Sequence, residues 1–314
     1  MKNEELTSLY KEQLREFELA AKNYAELKHV VRQDVNCGTF SIGLQYNPAR
    51  MISTNAKIDQ ATLQSRPCFL CRANRPQTQK GLPYGGHYDI CVNPYPIFPQ
   101  HFTIPAQEHI PQLIGNRIED LLSLAFDFPK YTSFYNGPDC GASAPDHFHF
   151  QMVPRHMMPL EEDVEREQLR QVIVRKDFYT ISYLKDYLRE VILLQGSDLK
   201  LMSALFAYTR TIIGETTPYE KEPMMNILVW FENCQWTVCI FPRKLRRPWQ
   251  FFAEGKDKIL FSPGCVDMAG MIVAPRKEDF DRYSCSLLTD LFGQVTITPE
   301  SMASIVHKLK NIHL

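Results

Sequence analysis

The sequence predicts an α+β fold made of two related halves of about 140 residues each, a size inside the single-domain range. Three observations carry that prediction. The chain has 314 residues, above the usual single-domain size, and 44% of them are hydrophobic, enough for a substantial core. Short patterns of period two, the mark of strands with one buried face, are interspersed with stretches at helical spacing. Two strand endings recur between the halves: Val153-Pro154-Arg155 with Phe241-Pro242-Arg243, and Ile104-Pro105 with Ala274-Pro275. The sheets are expected to be antiparallel, with helices packed on them.

Residues 3 to 27 place Leu6, Leu9, Leu14, Phe17, Leu19, Ala20 and Tyr24 among charged residues, which predicts one amphipathic helix, read as an accessory element over residues 1–28. From Val30 to about Lys57 the pattern turns to β, with good alternation from Thr39 to Tyr46 and a stop at Asn47-Pro48. A loop holding Cys68 and Cys71 follows, then strands at 88–93 and 101–105 joined by the turn-rich segment 94–99. Leu121, Leu122, Leu124, Ala125 and Phe128 give a helix that Pro129 ends. Strands at 131–136 and 147–153 complete a first half spanning 29–156. The second half, 157–314, is expected to open with helices at 161–174 and 197–214 and to continue with strands at 225–230, 236–241 and 270–274.

Lys+Arg number 35 against 36 Asp+Glu, a net charge of -1, so nothing global favours nucleic acid or an anionic membrane surface, and any anion site must be local. The N-terminus is too polar for a signal peptide, and no apolar run approaches the roughly 20 residues that cross a bilayer. The expectation is a soluble, cytoplasmic protein. Nine cysteines, an odd number in a chain of this size, are expected to be reduced thiols.

The most informative segment is Asp146-His147-Phe148-His149-Phe150-Gln151. On an extended strand His147, His149 and Gln151 share one face, while Phe148, Phe150 and Met152 face a core. A lone His there would read as a polar residue on a solvent face. Three aligned groups, preceded by Gly141 and Ser143, read as an active-site edge. A neutral imidazole nitrogen attacks phosphorus readily and leaves readily, which makes His149 the candidate nucleophile, with a backbone carbonyl needed to fix its tautomer. Gln151 can donate to a phosphoryl oxygen. The Gly141–Ser143 segment can offer backbone N–H groups and a hydroxyl to the same charge, and Asn136 ends the preceding strand within reach.

Cys68-Phe69-Leu70-Cys71 has the spacing of a zinc knuckle, a redox pair or two buried cysteines. A closed tetrahedral site needs two more ligands, for which His109 and His147 are the candidates, both at ends of neighbouring strands. Such a site would use His147 and leave His149 for chemistry. Arg243, Lys244, Arg246 and Arg247 form a basic run that is either a solvated loop or a second anion site. Arg50 is a weaker candidate of the same kind.

Taken together, Cys68-x-x-Cys71, Asn93-Pro94-Tyr95-Pro96-Ile97, His101, the segment from Ile104-Pro105 to His109, and His147-x-His149-x-Gln151 ending in Pro154-Arg155 resemble the histidine-triad (HIT-like) superfamily in order and spacing. Gln151 stands where the hydrolases of that superfamily have His, which resembles the transferase branch of uridylyltransferases, dinucleotide phosphorylases and GDP-hexose phosphorylases. Asn226-Ile227-Leu228 through Trp236 to Phe241-Pro242-Arg243 is similar to the dinucleotide phosphorylases, so the resemblance covers most of 38–280. Asp146 and Phe148 stand where the uridylyltransferases have Pro, which turns the likeness toward the GDP-hexose phosphorylases.

The resemblance implies two HIT-like halves, the first catalytic and the second degenerate. It implies His149 as the nucleotidylated residue, Gln151 as its phosphoryl partner, Asn93 near the ribose, and a structural Zn2+ on Cys68, Cys71, His109 and His147. Asn136, Gly141, Ser143, Arg243 and Lys244 are the further candidates for substrate contact. The implied activity is a nucleotidyltransferase or phosphorylase acting on a dinucleotide polyphosphate or nucleoside-diphosphate sugar, with phosphate or a sugar phosphate as acceptor. A hydrolase and a non-catalytic zinc-stabilised nucleotide-binding protein are the alternatives. No nucleic-acid or membrane partner is expected, and a homodimer is left open.

Overall fold

Ten strands form one continuous antiparallel sheet in the computed structural model of the chain, which describes residues 2–51, 62 and 65–312. The end of the expected β stretch, up to Lys57, lies outside the described residues. In chain order the elements are α1 (Lys2–Glu16), α2 (Glu18–Glu26), β1 (Val31–Asn36), β2 (Ser41–Tyr46), β3 (Gly81–Tyr84), β4 (Tyr88–Val92), β5 (Phe102–Pro105), α3 (Ile118–Asp127), β6 (Tyr131–Asn136) and β7 (His149–Pro154). There follow α4 (Leu160–Asp163), β8 (Arg170–Arg175), β9 (Tyr179–Leu184), β10 (Ile192–Gly196), α5 (Leu199–Thr216), β11 (Met225–Glu232), β12 (Gln235–Pro242), α6 (Cys265–Met268), β13 (Met271–Ala274), α7 (Lys277–Arg282), α8 (Cys285–Val295) and α9 (Pro299–Leu309).

The large sheet runs β3-β4-β5-β7-β6-β11-β12-β10-β9-β8. It contains the expected duplication. Three strands, a helix and a hairpin (β3, β4, β5, α3, β6, β7) recur as β8, β9, β10, α5, β11, β12, and the halves meet where β6 pairs with β11 from Asn226↔Asn136 to Val229↔Ser133. The Pro-Arg endings of β7 and β12 are equivalent in this repeat. The other recurrence is not, because Ala274 ends β13, which lies in a separate three-stranded sheet β1-β2-β13 where it pairs parallel to β2.

Two cores cover the two faces of the large sheet. One joins it to α1, α2, α3, α5 and α9 through residues such as Leu6, Ala20, Leu121, Leu205 and Ile305. The other joins it to the small sheet and the short C-terminal helices through Ile42, Leu44, Ile272, Val266 and Leu288. Caps set helix starts: the Asp198 carboxylate accepts from Leu201 N–H ahead of α5, and Thr298 with Pro299 opens α9. Among the described residues no helix is long and apolar enough to cross a membrane.

Three expectations are corrected. The helix placed at 161–174 is the single turn α4 followed by strand β8, because Val172 and Val174 find partners on β9, and β-branched residues favour that pairing. The first amphipathic helix is two helices, separated by Phe17, whose extended backbone (φ -107, ψ 90) turns its ring into the body at 4% exposure. Not every thiol is free either. Cys37, after β1, and Cys285, at the start of α8, form a disulfide with Cα atoms 5.4 Å apart, leaving seven free cysteines. Their separation of 248 residues hides that pairing from any local spacing rule.

Candidate active site

Strand β7 begins at His149, two residues later than the alternation suggested, and His147 lies in the turn just before it. The face assignment holds for His149 and Gln151, whereas His147 lies before the strand, outside the cavity lining. Phe148, Phe150 and Met152 are buried in the helix-covered core, Phe148 and Phe150 meeting edge to face at 4.9 Å, while His149 and Gln151 line a cavity on the opposite side and Val153 continues that face into the second core. Phe150 and Met152 on one side of β7, with Phe148 just before it, therefore hold His149 and Gln151 on the other.

The backbone of His149 is clamped by a residue the sequence reading passed over. Gln112 Oε1 accepts from His149 N–H at 2.7 Å, and Gln112 Nε2 donates to His149 O at 3.0 Å and to Asn136 O at 2.9 Å. One side-chain amide thus locks the start of β7 to the end of β6. The only signal for it was an amide in a Pro-bounded loop, Pro111-Gln112.

In the His149 ring, Nδ1–H donates to the carbonyl oxygen of His147 at 2.9 Å, which leaves Nε2 as the lone-pair nitrogen on the cavity side. Burial pushes the ring down to about 4, so it is neutral near pH 7. Gln151 is oriented in its turn by His101. The backbone N–H of Ile97 donates to His101 Nδ1 at 3.3 Å, so His101 carries its proton on Nε2 and donates it to Gln151 Oε1 at 2.9 Å. That fixes the carboxamide with its NH2 available toward the cavity. Burial, reinforced by the nearby Arg50, pushes His101 down to about 3 and keeps this neutral tautomer. Asn93 lines the cavity, but its amide is used in the turn: Oδ1 accepts from Tyr95 N–H at 2.9 Å and Nδ2 donates to Thr103 Oγ1 at 3.0 Å.

Cys68, Cys71, His109 and His147 come together with one potential ligand atom each, all within 4.8 Å of one another. Sulfur to Nδ1 distances are 3.3 Å for Cys68 and His147, 3.1 Å for Cys71 and His109, and 3.5 Å for Cys71 and His147. A tetrahedral metal with bonds of about 2.3 Å to sulfur and 2.0–2.1 Å to nitrogen gives an S to N edge of about 3.5 Å. These four residues therefore fit one metal ion. His147 Nε2–H donates to Ala106 O at 2.8 Å, which leaves Nδ1 facing the sulfurs, the outer-shell hydrogen bond that metal-bound imidazoles use. A redox pair would not require two imidazoles aimed at the same point.

The cavity, of about 590 Å³, lies between the two halves. Asn136, Gly141 and Ser143 line it beside His149 and Gln151, and Arg246, Arg247, Ser262, Gly264 and Asp267 line it from the second half. Its seam is a glycine contact. Gly141 has φ +94, and a Cβ there would sit 2.5 Å from Gly264 Cα, so any side chain would push the halves apart. Asn136 Oδ1 accepts from Cys265 N–H at 2.7 Å and from Asn226 Nδ2 at 2.8 Å, crossing the same seam.

The basic run is placed differently from expectation. Arg243 is 1% exposed and lies outside the cavity lining. Its guanidinium donates to Asn226 Oδ1 at 2.7 Å and to the carbonyls of Pro263, Val295, Leu245 and Arg246. It is a scaffold for its own loop. Lys244 is exposed and also outside the lining, whereas Arg246 and Arg247 lie within it. The equivalent residue of the first half, Arg155, is likewise structural, bonded to Glu161 and Glu232 and stacked 5.2 Å from the Trp230 ring. In both halves the arginine after the strand-ending proline ties the sheet down. Arg50 does line the cavity, with Nη1 donating to Tyr95 O at 2.6 Å.

Residues 9–154 match a family described as a domain of unknown function, DUF4922, and residues 163–313 match the family described as GDPGP1-like, C-terminal domain. No curated protein matches the chain. Among solved structures, the yeast Ap4A phosphorylase Apa2 is similar, with a TM-score of 0.59 and 16% identity over 90% of this chain and 97% of that one. The same yeast protein in complex with AMP gives a TM-score of 0.58 and 16% identity over 91% and 97%, and in complex with Ap4A 0.55 and 15% over 89% and 96%. At these identities the likeness establishes a shared fold over nearly the whole length of both chains.

Proposed function

We propose that the chain, whose residues 163–313 match the GDPGP1-like C-terminal domain and whose fold is shared with the yeast Ap4A phosphorylase, is a histidine-triad-like nucleotidyltransferase or phosphorylase acting by double displacement through His149. The observation that carries this reading is the single orientation of the His149 ring, with Nδ1–H held by the His147 carbonyl and an unprotonated Nε2 on the cavity side. Nε2 attacks the α-phosphorus of a nucleoside-diphosphate sugar or dinucleotide polyphosphate. A P–N bond forms, the bridging P–O bond breaks, and the electron pair leaves with the departing phosphate. An acceptor phosphate oxygen then forms a new P–O bond as the P–N bond breaks, and its electron pair returns to Nε2. Gln151 NH2 donates to a nonbridging oxygen that gains charge in both displacements.

Cys68, Cys71, His109 and His147 are read as holding a structural Zn2+. Such an ion would tie the Cys68 loop to the β7 start and fix the His147 carbonyl that orients His149. The first half, 29–156, supplies the chemistry. In the second half the equivalent strand, aligned on Pro154 and Pro242, has Thr237 and Cys239 where β7 has His149 and Gln151, and no imidazole. The yeast Ap4A phosphorylase, solved with AMP and with Ap4A, supports a nucleotide in the cavity.

The test is a panel of nucleoside-diphosphate sugars and dinucleotide polyphosphates assayed with and without inorganic phosphate. Phosphate-dependent release of a nucleoside diphosphate supports the reading. Release of monophosphate alone, at a rate indifferent to phosphate, would replace it with a hydrolase. Tight nucleotide binding without turnover would favour a binding protein.

A further inference from the structure

The degenerate half contributes two cations to a cavity whose nucleophile comes from the other half. Arg246 and Arg247 leave the end of β12 on the loop that Arg243 braces from beneath, through its hydrogen bonds to Leu245 O at 3.1 Å and Arg246 O at 3.2 Å. Arg247 is steered by Ser262, its Nε donating to Ser262 Oγ at 2.8 Å, and its guanidinium lies 3.8 Å from the centroid of the Phe251 ring. Arg246 has its Nε buried and without a hydrogen-bond partner among the described residues. Adjacent like charges repel, and the buried Arg246 Nε is a donor left unmade, so an anion beside Arg246 would relieve both costs. Arg247 is pushed down to about 10 by burial and by Arg246 next to it, which is the same repulsion seen from the proton's side.

We propose that Arg246 and Arg247 form the subsite for the phosphate monoester group that leaves in the first displacement and for the one that enters in the second. The proposal rests on the double-displacement reading. In-line attack at the α-phosphorus puts leaving and entering oxygens opposite His149 Nε2, so both displacements use one position, and Arg246 and Arg247 line the same cavity as His149 and Gln151. The entering group is a phosphate dianion; its oxygen bonds to phosphorus, His149 takes back its electron pair, and any proton left on the new terminal phosphate passes to water. In this way a half that has lost its own imidazole is retained as the holder of the β-phosphate.

The test has two readouts on the full chain with Arg246→Gln, Arg247→Gln and the milder Arg246→Lys. Calorimetric titration with inorganic phosphate, and separately with a hexose 1-phosphate, should show affinity falling roughly tenfold to a hundredfold in the Gln variants, the range for losing one charge-assisted contact. Arg246→Lys should fall less. In turnover, the ratio of phosphorolysis to hydrolysis products should fall with the affinity. Weakening toward inorganic phosphate alone marks a free-phosphate acceptor; weakening toward both marks a site that also holds the sugar phosphate. Unchanged phosphate affinity and an unchanged product ratio would overturn the proposal. Failure of the wild type to form a covalent adduct would sink the double displacement instead, and the phosphate titration would still decide the anion subsite.

Discussion

His101 Nε2 lies 2.9 Å from Gln151 Oε1, and this contact decides which end of the Gln151 carboxamide the cavity meets. A rotated amide would present a carbonyl oxygen to a phosphoryl oxygen and repel it. Replacing His101 by Leu is expected to lower kcat by roughly tenfold to a hundredfold, somewhat less than deletion of a whole oxyanion donor, with a smaller change in nucleotide KM. Gln151→Ala should cost at least as much, and the double variant no more than Gln151→Ala alone, since the two act as a unit. Additive losses in the double variant would contradict the relay.

The same histidine sets a pH dependence of stability. Burial holds folded His101 at about 3, against 6.5 for the free side chain, so between these values the unfolded chain binds a proton that the folded chain refuses. Stability therefore falls as pH drops below 6.5, and at pH 5 His101 alone removes about 2 kcal/mol relative to neutral pH. Urea unfolding at pH 7.5 and pH 5 should show this slope in the wild type and a shallower one in His101→Leu. Parallel slopes would place the acid sensitivity elsewhere.

One metal ion per chain is expected on Cys68, Cys71, His109 and His147, and zinc on the chemistry of two thiolates with two imidazoles. Elemental analysis should find it in the wild type and lose it in Cys68→Ser and Cys71→Ser. Chelation should lower the melting temperature and make the loop around Cys68 more sensitive to protease. A metal-free wild-type protein with unchanged melting in chelator would leave the cluster as four hydrogen-bonded side chains.

Arg243 should behave as a structural residue. Replacing it by Met strands Asn226 Oδ1 and the carbonyls of Pro263, Val295, Leu245 and Arg246, and each buried acceptor left without its donor costs about 1–3 kcal/mol. Denaturant unfolding measures it. An Arg243→Met protein of wild-type stability with only a raised substrate KM would return Arg243 to the ligand-contact role that the sequence suggested.

Much of this architecture was legible in the chain because it rests on local period. The alternation through Phe148, Phe150 and Met152 correctly assigns the faces of β7, and the Pro-Arg endings at 154–155 and 242–243 mark equivalent strands of a duplicated unit. The Cys68-x-x-Cys71 spacing points to a cluster whose other members, His109 and His147, lie near strand ends and do converge. What stayed hidden depends on tertiary placement. Arg243 and Arg246 are indistinguishable by type and spacing, yet one braces the loop and the other lines the cavity. Gln112 carries no motif, and its role exists only because β6 and β7 pass on either side of it. The strand at 170–175 is not legible locally, because a pairing partner, not intrinsic pattern, decides a short mixed segment.

The most direct measurement is mass spectrometry of the intact protein after rapid quench with a nucleoside-diphosphate sugar or dinucleotide polyphosphate and no acceptor. The account predicts a mass increase of one nucleotidyl group, mapped to the peptide containing His149, lost on adding phosphate and absent in His149→Ala. An adduct that persists in His149→Ala, or turnover by the wild type with no adduct at any quench time, would contradict it.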